Sequence, residues 1–341
     1  MLALKIVDLG APLQAVELPD PEPGHGEVVV GVRAAGICRS DVHYRSGHRP
    51  VPSLPLVPGH EVAGVVERVG PGVAAPAVGD RVAIHYLTSC GACEPCHRGR
   101  EQFCVRGEMI GLDRAGGYAE QILVPAANAL PIPDEVSWEA AAVMMCSTST
   151  SFHALRRARL AVGESVAVFG AGGLGMSAVQ LAFTLGAFDV YAVDINPAKL
   201  EAATRFGAIP VDATTVDPAE ALLRMSGGGV DVALELVGSP EVMGQAVRSV
   251  GVGGRAIAVG ITDGTFGLDP FRELVAREAE ILGAADHTAE ELRLLLEMAR
   301  RGDLDLDAVV TRTVGLDVTE VEGALQELEG FGDEIRTVIR P

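Results

Sequence analysis

The feature that most constrains this chain is a change of rhythm near Glu164. From there on, short β-like runs alternate with stretches of helical length. The runs are SVAVFG (165–170), VYAVD (190–194), DVALELVG (231–238) and GRAIAVG (254–260); the stretches between are 173–187, 197–207 and 240–250. Parallel strands need a crossover, and a helix is the usual one, so this alternation predicts a parallel, doubly wound sheet. Upstream, Val- and Ile-rich runs bounded by Gly and Pro at 27–36, 61–70, 80–86 and 118–124 predict a mostly-β domain. Trp138 to Ala154 reads as a helix leaving that domain, with Ser137 as its N-cap. Two more helical stretches (291–302 and 317–328) precede a terminal strand, IRTVIR (335–340), that has no evident partner in the second domain. The chain is therefore expected to return to the first domain there. A length of 341 residues favours two domains, drawn at 1–153 with 286–341, and at 154–285.

A formal net charge of −19 offers no basic footprint for nucleic acid or an anionic lipid surface. No apolar run approaches the ~20 residues of a membrane span. The N-terminal MLALKIVDLG carries Asp8 in its only apolar stretch and lacks a small-residue cleavage site, so it reads as a first strand rather than a signal peptide. A cytoplasmic protein with no nucleic-acid and no membrane partner is expected. In a reducing compartment, clustered cysteines are metal-ligand candidates ahead of disulfides.

Cys90, Cys93, Cys96 and Cys104 form C-x2-C-x2-C-x7-C. Four thiolates this close can converge on one tetrahedral ion, and a closed shell of four sulfurs suits structural zinc. Gly91, Ala92, Pro95 and Gly99 permit the turns required. Without metal, four free thiols in fifteen residues would be a redox liability. Iron–sulfur clusters also use thiolates, but this spacing departs from the ferredoxin runs, so zinc is the expected metal.

Cys38 and Cys146 remain, with His60 and Glu61 in PGHEVAGVVERVG. Zinc catalysis needs three protein ligands and one open position. Cys38, His60 and Cys146 would supply two sulfurs and one imidazole. Taken singly, His60 reads as an ordinary histidine and Cys146 as a core thiol; the combination carries the reading.

The third element is Gly170-x-Gly172-x-x-Gly175, with Gly173 and Leu174 inside it, after a strand and opening a helix. In that context glycines allow a tight turn and close backbone approach to a pyrophosphate, and the helix N-terminus supplies amide donors. Asp194 ends the next strand, about twenty residues on, where a carboxylate accepts from the adenosine ribose and repels a 2′-phosphate. No arginine follows it directly, so NAD is expected over NADP.

On these residues the chain resembles the zinc-dependent alcohol dehydrogenases of the medium-chain dehydrogenase/reductase superfamily. GHEVAGVVERVGPGV is similar to the family signature G-H-E-x2-G-x5-G-x2-V, with Gly59, His60, Glu61, Gly64, Gly70 and Val73 at its fixed positions. The Cys38-Arg39-Ser40-Asp41 run, the four-cysteine lobe and the glycine-rich turn agree too, and the likeness spans essentially the whole chain. It implies a GroES-like catalytic domain beside a Rossmann domain, two zincs per chain and NAD-linked interconversion of a small-molecule alcohol with its carbonyl.

By position, the resemblance implies that Cys38, His60 and Cys146 hold the catalytic zinc, with Glu61 able to approach or replace a ligand. It implies Asp41 and Glu67 behind the ligands, Ser40 and His43 as a proton relay, and Tyr86 in the substrate pocket. Lys199 would lie near the ribose, Arg39 and Arg336 at the pyrophosphate and Thr150 near the nicotinamide. His48 and Arg49 are candidates for the pocket mouth. The short segment between Cys104 and Cys146 resembles the tetrameric bacterial form. The readings set against this one are a polyol, sugar or amino-alcohol dehydrogenase with the same site, and a non-catalytic zinc-stabilised NAD-binding sensor.

Overall fold

The computed structural model describes residues 1–341, which divide into two compact units, 1–147 with 288–341, and 148–287. The first unit opens with β1 (Leu2–Lys5), β2 (Gln14–Glu17), β3 (Glu27–Gly36), α1 (Arg39–Ser46), β4 (Glu61–Val69), β5 (Arg81–Ile84), α2 (Glu94–His97), β6 (Gln121–Pro125), β7 (Ala129–Pro131) and α3 (Trp138–Val143). β3 is its organising strand. It pairs antiparallel with β4 on one side, and on the other with β6 and the final strand of the chain. All but two of its ten residues are buried, so it reads as a continuous apolar run rather than an alternating one. Ser137 caps α3 by accepting from Ala140 N. A π turn, Met144–Thr148, follows α3 directly.

The second unit is α4 (Ser149–Arg157), β8 (Ser165–Phe169), α5 (Gly173–Thr184), β9 (Asp189–Asp194), α6 (Pro197–Arg205), β10 (Ile209–Asp212), α7 (Pro218–Met225), β11 (Val230–Glu235), α8 (Pro240–Ser249), β12 (Val250–Ala258) and β13 (Glu280–Gly283). Its six strands run in the order β10-β9-β8-β11-β12-β13, every neighbouring pair parallel. The chain winds one way from β8 and then the other from β11, so the strand order reverses between these two. Ligands of such sheets bind outside the carboxyl ends of the strands at that reversal.

The first unit resumes with α9 (Ala289–Arg300), β14 (Val310–Gly315), α10 (Val318–Glu329) and β15 (Arg336–Arg340). β15 lies between β14 and β3 in a seven-stranded sheet of order β14-β15-β3-β4-β5-β7, with β6 also on β3. No helix is long and apolar enough to cross a membrane.

Candidate active site and metal centres

The four-cysteine lobe is built by local turns. Gly91 and Gly99 take left-handed backbone (φ 64° and 65°), Cys93 stands at the N-cap of α2 and Cys96 lies within its single turn. The Cys93 sulfur lies 3.4 Å from that of Cys96 and 3.7 Å from that of Cys104. The Cys104 sulfur also accepts from the Cys90 and Arg106 amides at 3.3 and 3.4 Å. All four sulfurs lie within 4.8 Å of one another. Disulfide sulfurs sit ~2.05 Å apart, whereas thiolates ~2.3 Å from one tetrahedral ion stand about 3.8 Å apart. The spacing fits a shared metal.

The second cluster is buried and comes from three separate places. Cys38 leads into α1 in extended conformation (φ −111°, ψ 154°), and its amide donates to Asp41 Oδ2 at 2.9 Å. His60 and Glu61 enter at the start of β4. Cys146 arrives from the π turn, an extra-residue distortion that helices frequently carry at functional sites. One ligand atom from each of Cys38, His60, Glu61 and Cys146 falls within the same 4.8 Å limit, and the two sulfurs are 3.9 Å apart. His60 is 0% exposed, yet neither ring nitrogen has a hydrogen-bond partner. Leaving such a group unsatisfied is costly. Nδ1 faces Asp41 Oδ1 at 3.5 Å, which leaves Nε2 for an ion. The donor set therefore fits zinc.

Electrostatics in the cluster favour thiolate at one of its two cysteines, Cys38. Hydrogen bonding from Cys146 holds the Cys38 thiol well below its ordinary value, aided by His60 and Arg336, against the cost of burial. Cys146, as donor to Cys38 and buried, is pushed up in turn. Burial lifts Glu61 to about 7 although Arg336 opposes it.

The glycine-rich turn lies after β8, at the point where strand order reverses. Gly170 is left-handed (φ 96°), and a Cβ at Gly175 would stand 1.9 Å from the Gly170 carbonyl oxygen, so α5 meets the turn only with glycine there. Asp194 closes the turn from β9: Oδ2 accepts from Ala171 N at 2.6 Å and Oδ1 from Asn196 N at 2.9 Å. Gly172 caps α5, with Gly173 and Leu174 in its first turn. Lys199 is buried on α6, and Thr150 is half-buried on α4.

The remaining expected residues fall into place unevenly. Ser40 and His43 are three apart on α1, both half-buried. Tyr86 is 1% exposed and edge-on to His60, ring centroids 5.0 Å apart. His48 and Arg49 are exposed, and the His48 ring is 5.0 Å from that of His43. Arg39 stacks on Phe331 at 3.9 Å and donates to the Leu328 carbonyl at 3.0 Å. One expectation needs correcting. Glu67 is not behind a ligand: it accepts from Gln121 Nε2 at 2.8 Å, and six residues of β4 place it ~20 Å from Glu61. Arg336, the residue expected at a pyrophosphate, is buried and donates to Glu61, an observation that leaves that expectation neither supported nor overturned. Two neighbours escaped the sequence reading altogether, Tyr118 and the Arg336–Glu61 pair; both are reached only through long-range packing.

Comparison with known proteins gives two family matches: the "Alcohol dehydrogenase GroES-like domain" over residues 24–134 and "Zinc-binding dehydrogenase" over 173–301. An alcohol dehydrogenase of Geobacillus stearothermophilus is 38% identical, covering 89% of this chain and 90% of its own. A NAD-dependent alcohol dehydrogenase of Sulfurisphaera tokodaii is 32% identical over 100% of both chains. Among solved structures, one described as a zinc-binding dehydrogenase of Sinorhizobium meliloti bound to NADP superposes with a TM-score of 0.92, at 29% identity, over 100% of this chain and 99% of that one.

Proposed function

We propose that this chain, which belongs to the zinc-dependent alcohol dehydrogenase family, oxidises an alcohol, or reduces the corresponding aldehyde or ketone, at a zinc held by Cys38, His60 and Cys146. It is an oxidoreductase of small-molecule alcohols that uses zinc and NAD. The observation that carries the site assignment is the convergence of two buried sulfurs with an imidazole that has no hydrogen-bond partner.

When bound, zinc supplies the Lewis acidity that lowers the pKa of an alcohol hydroxyl, and NAD+ accepts the hydride. Cys38, His60 and Cys146 would hold the zinc, and a set of three protein ligands would leave room for substrate. Glu61 belongs to the cluster, but Arg336 holds its carboxylate, so we read three protein ligands rather than four. Ser40 accepts the hydroxyl proton as it gives up its own, and His43 carries that proton on to water; positions three apart share a helix face. Burial, followed by the charges of His48 and Arg39, lowers the His43 pKa, so the ring is neutral and able to accept near pH 7. Tyr86, against His60, forms part of the pocket wall. The Cys90–Cys93–Cys96–Cys104 lobe takes a structural zinc. In the second unit the Gly170–Gly175 turn receives the pyrophosphate and Asp194 the ribose, which supports NAD over NADP.

By the same family likeness the chain is read as a cytoplasmic homotetramer. The six free cysteines fit a reducing compartment, and light scattering that returned a monomer or dimer would refute the tetramer.

The functional test is nicotinamide reduction by zinc-loaded protein across primary, secondary, polyol and amino alcohols, with NAD+ and NADP+ in parallel. Turnover favouring NAD+ is expected. NADH binding without turnover in either direction would instead support a sensor.

A further inference from the structure

Asp41 stands behind His60, and the orientation of its carboxylate is set from its far side. Oδ2 accepts two hydrogen bonds, from Cys38 N at 2.9 Å and from the Tyr118 hydroxyl at 3.0 Å. Oδ1 accepts none and points at His60 Nδ1, 3.5 Å away. Tyr118 is 0% exposed. Its own backbone is pinned to the turn that delivers His60: Tyr118 N donates to Pro58 O at 3.0 Å and Gly117 N to Gly59 O at 2.8 Å. Its ring packs closely against that turn, since a Cβ on Gly59 (φ 95°) would stand 2.3 Å from the Tyr118 ring. One side chain thus packs on the residue preceding His60 and bonds the carboxylate behind it.

We propose that Tyr118 is a positioning residue of the catalytic metal site: its hydroxyl fixes the rotation of Asp41, which aims Oδ1 at His60 Nδ1–H and so presents Nε2 to the ion. The inference rests on the zinc reading of Cys38, His60 and Cys146. A buried carboxylate turns about its Cβ–Cγ bond unless both faces are held, and a single donor from Cys38 N leaves that freedom. Partners behind a ligating histidine typically affect metal affinity ~10–100-fold.

Tyr118→Phe retains the ring against Gly59 and removes only the hydroxyl. The test uses the full chain with cobalt(II) exchanged into the Cys38–His60–Cys146 site and zinc kept in the four-cysteine lobe. The variant is expected to release its cobalt to a chelator about tenfold faster than the parent, to shift the cobalt d–d bands, and to keep the lobe zinc. In an Asp41→Asn background the same substitution should add nothing, because the hydroxyl acts through that carboxylate. Unchanged release and spectrum, or a full effect persisting without Asp41, would overturn the proposal. A parent protein with no cobalt–thiolate absorption at this site would overturn the zinc reading instead. Retained lobe zinc reports that the variant has folded.

Discussion

Arg336 donates a hydrogen bond to Glu61 in the interior of the first unit, and both side chains are buried beside Cys38 and Cys146. A charge pair out of water is tolerated because each partner neutralises the other; removing one leaves the second unpaired, at ~3–5 kcal/mol. Arg336→Met should therefore destabilise the metal-loaded protein in urea titration by up to about that amount well above pH 7, and by less near neutral pH, where the Glu61 carboxyl, already lifted to about 7, takes up a proton. Arg336→Met combined with Glu61→Leu should recover most of the loss. A double variant as unstable as the single would show that packing, and not the pair, sets the effect.

His85 gives a pH signature away from the metal. It is 4% exposed, and burial lowers its imidazole pKa to about 4, with Glu101 opposing and Arg293 adding to the shift. In the unfolded chain a histidine titrates near ~6.5. As pH falls, the unfolded chain takes up this proton first, so stability present above ~6.5 is lost progressively down to about 4. One unit below the unfolded pKa the loss is ~1.4 kcal/mol, rising to roughly 3 kcal/mol near the folded value. His85→Gln should flatten the dependence of the urea midpoint on pH across this window. A variant that loses stability on acidification as steeply as the parent would exclude His85 as a source.

Asp194 braces the glycine-rich turn through Ala171 N and Asn196 N, and on the proposed reading its charge would also disfavour a phosphorylated ribose. Asp194→Ala should weaken NADH binding about tenfold and lower the NAD+/NADP+ ratio of kcat/KM by at least about tenfold. An unchanged ratio alongside weaker binding would leave Asp194 only its bracing task and refute the cofactor preference read from it.

What sequence reveals about this site follows the range of the interactions. The lobe is legible because its ligands are close in sequence and its turns are marked by glycine. The glycine-rich turn is legible for the same reason, with its strand before and helix after. Cys38, His60 and Cys146 could be picked out by residue type, but the geometry that joins them could not, because Cys146 depends on a π turn inside what reads as one continuous helix. Arg336 and Glu61 are 275 residues apart, and no local pattern links them. Tyr118 reads as part of a strand, whereas β6 begins at Gln121 and Tyr118 turns inward to Asp41. Glu67 was misplaced because a carboxylate near the signature looks like a partner for His60, while strand geometry carries it far along β4. Short, partly exposed strands such as β10, β13 and β14 lack the apolar run that marks β3 or β8.

The most direct test of the account is metal content and turnover of Cys38→Ala beside the parent protein. Two separate sites predict two zincs per chain in the parent and one in the variant. The variant should keep the zinc of the Cys90–Cys93–Cys96–Cys104 lobe and lose alcohol oxidation. Loss of both zincs, or turnover retained with one, would contradict the division into a catalytic and a structural metal.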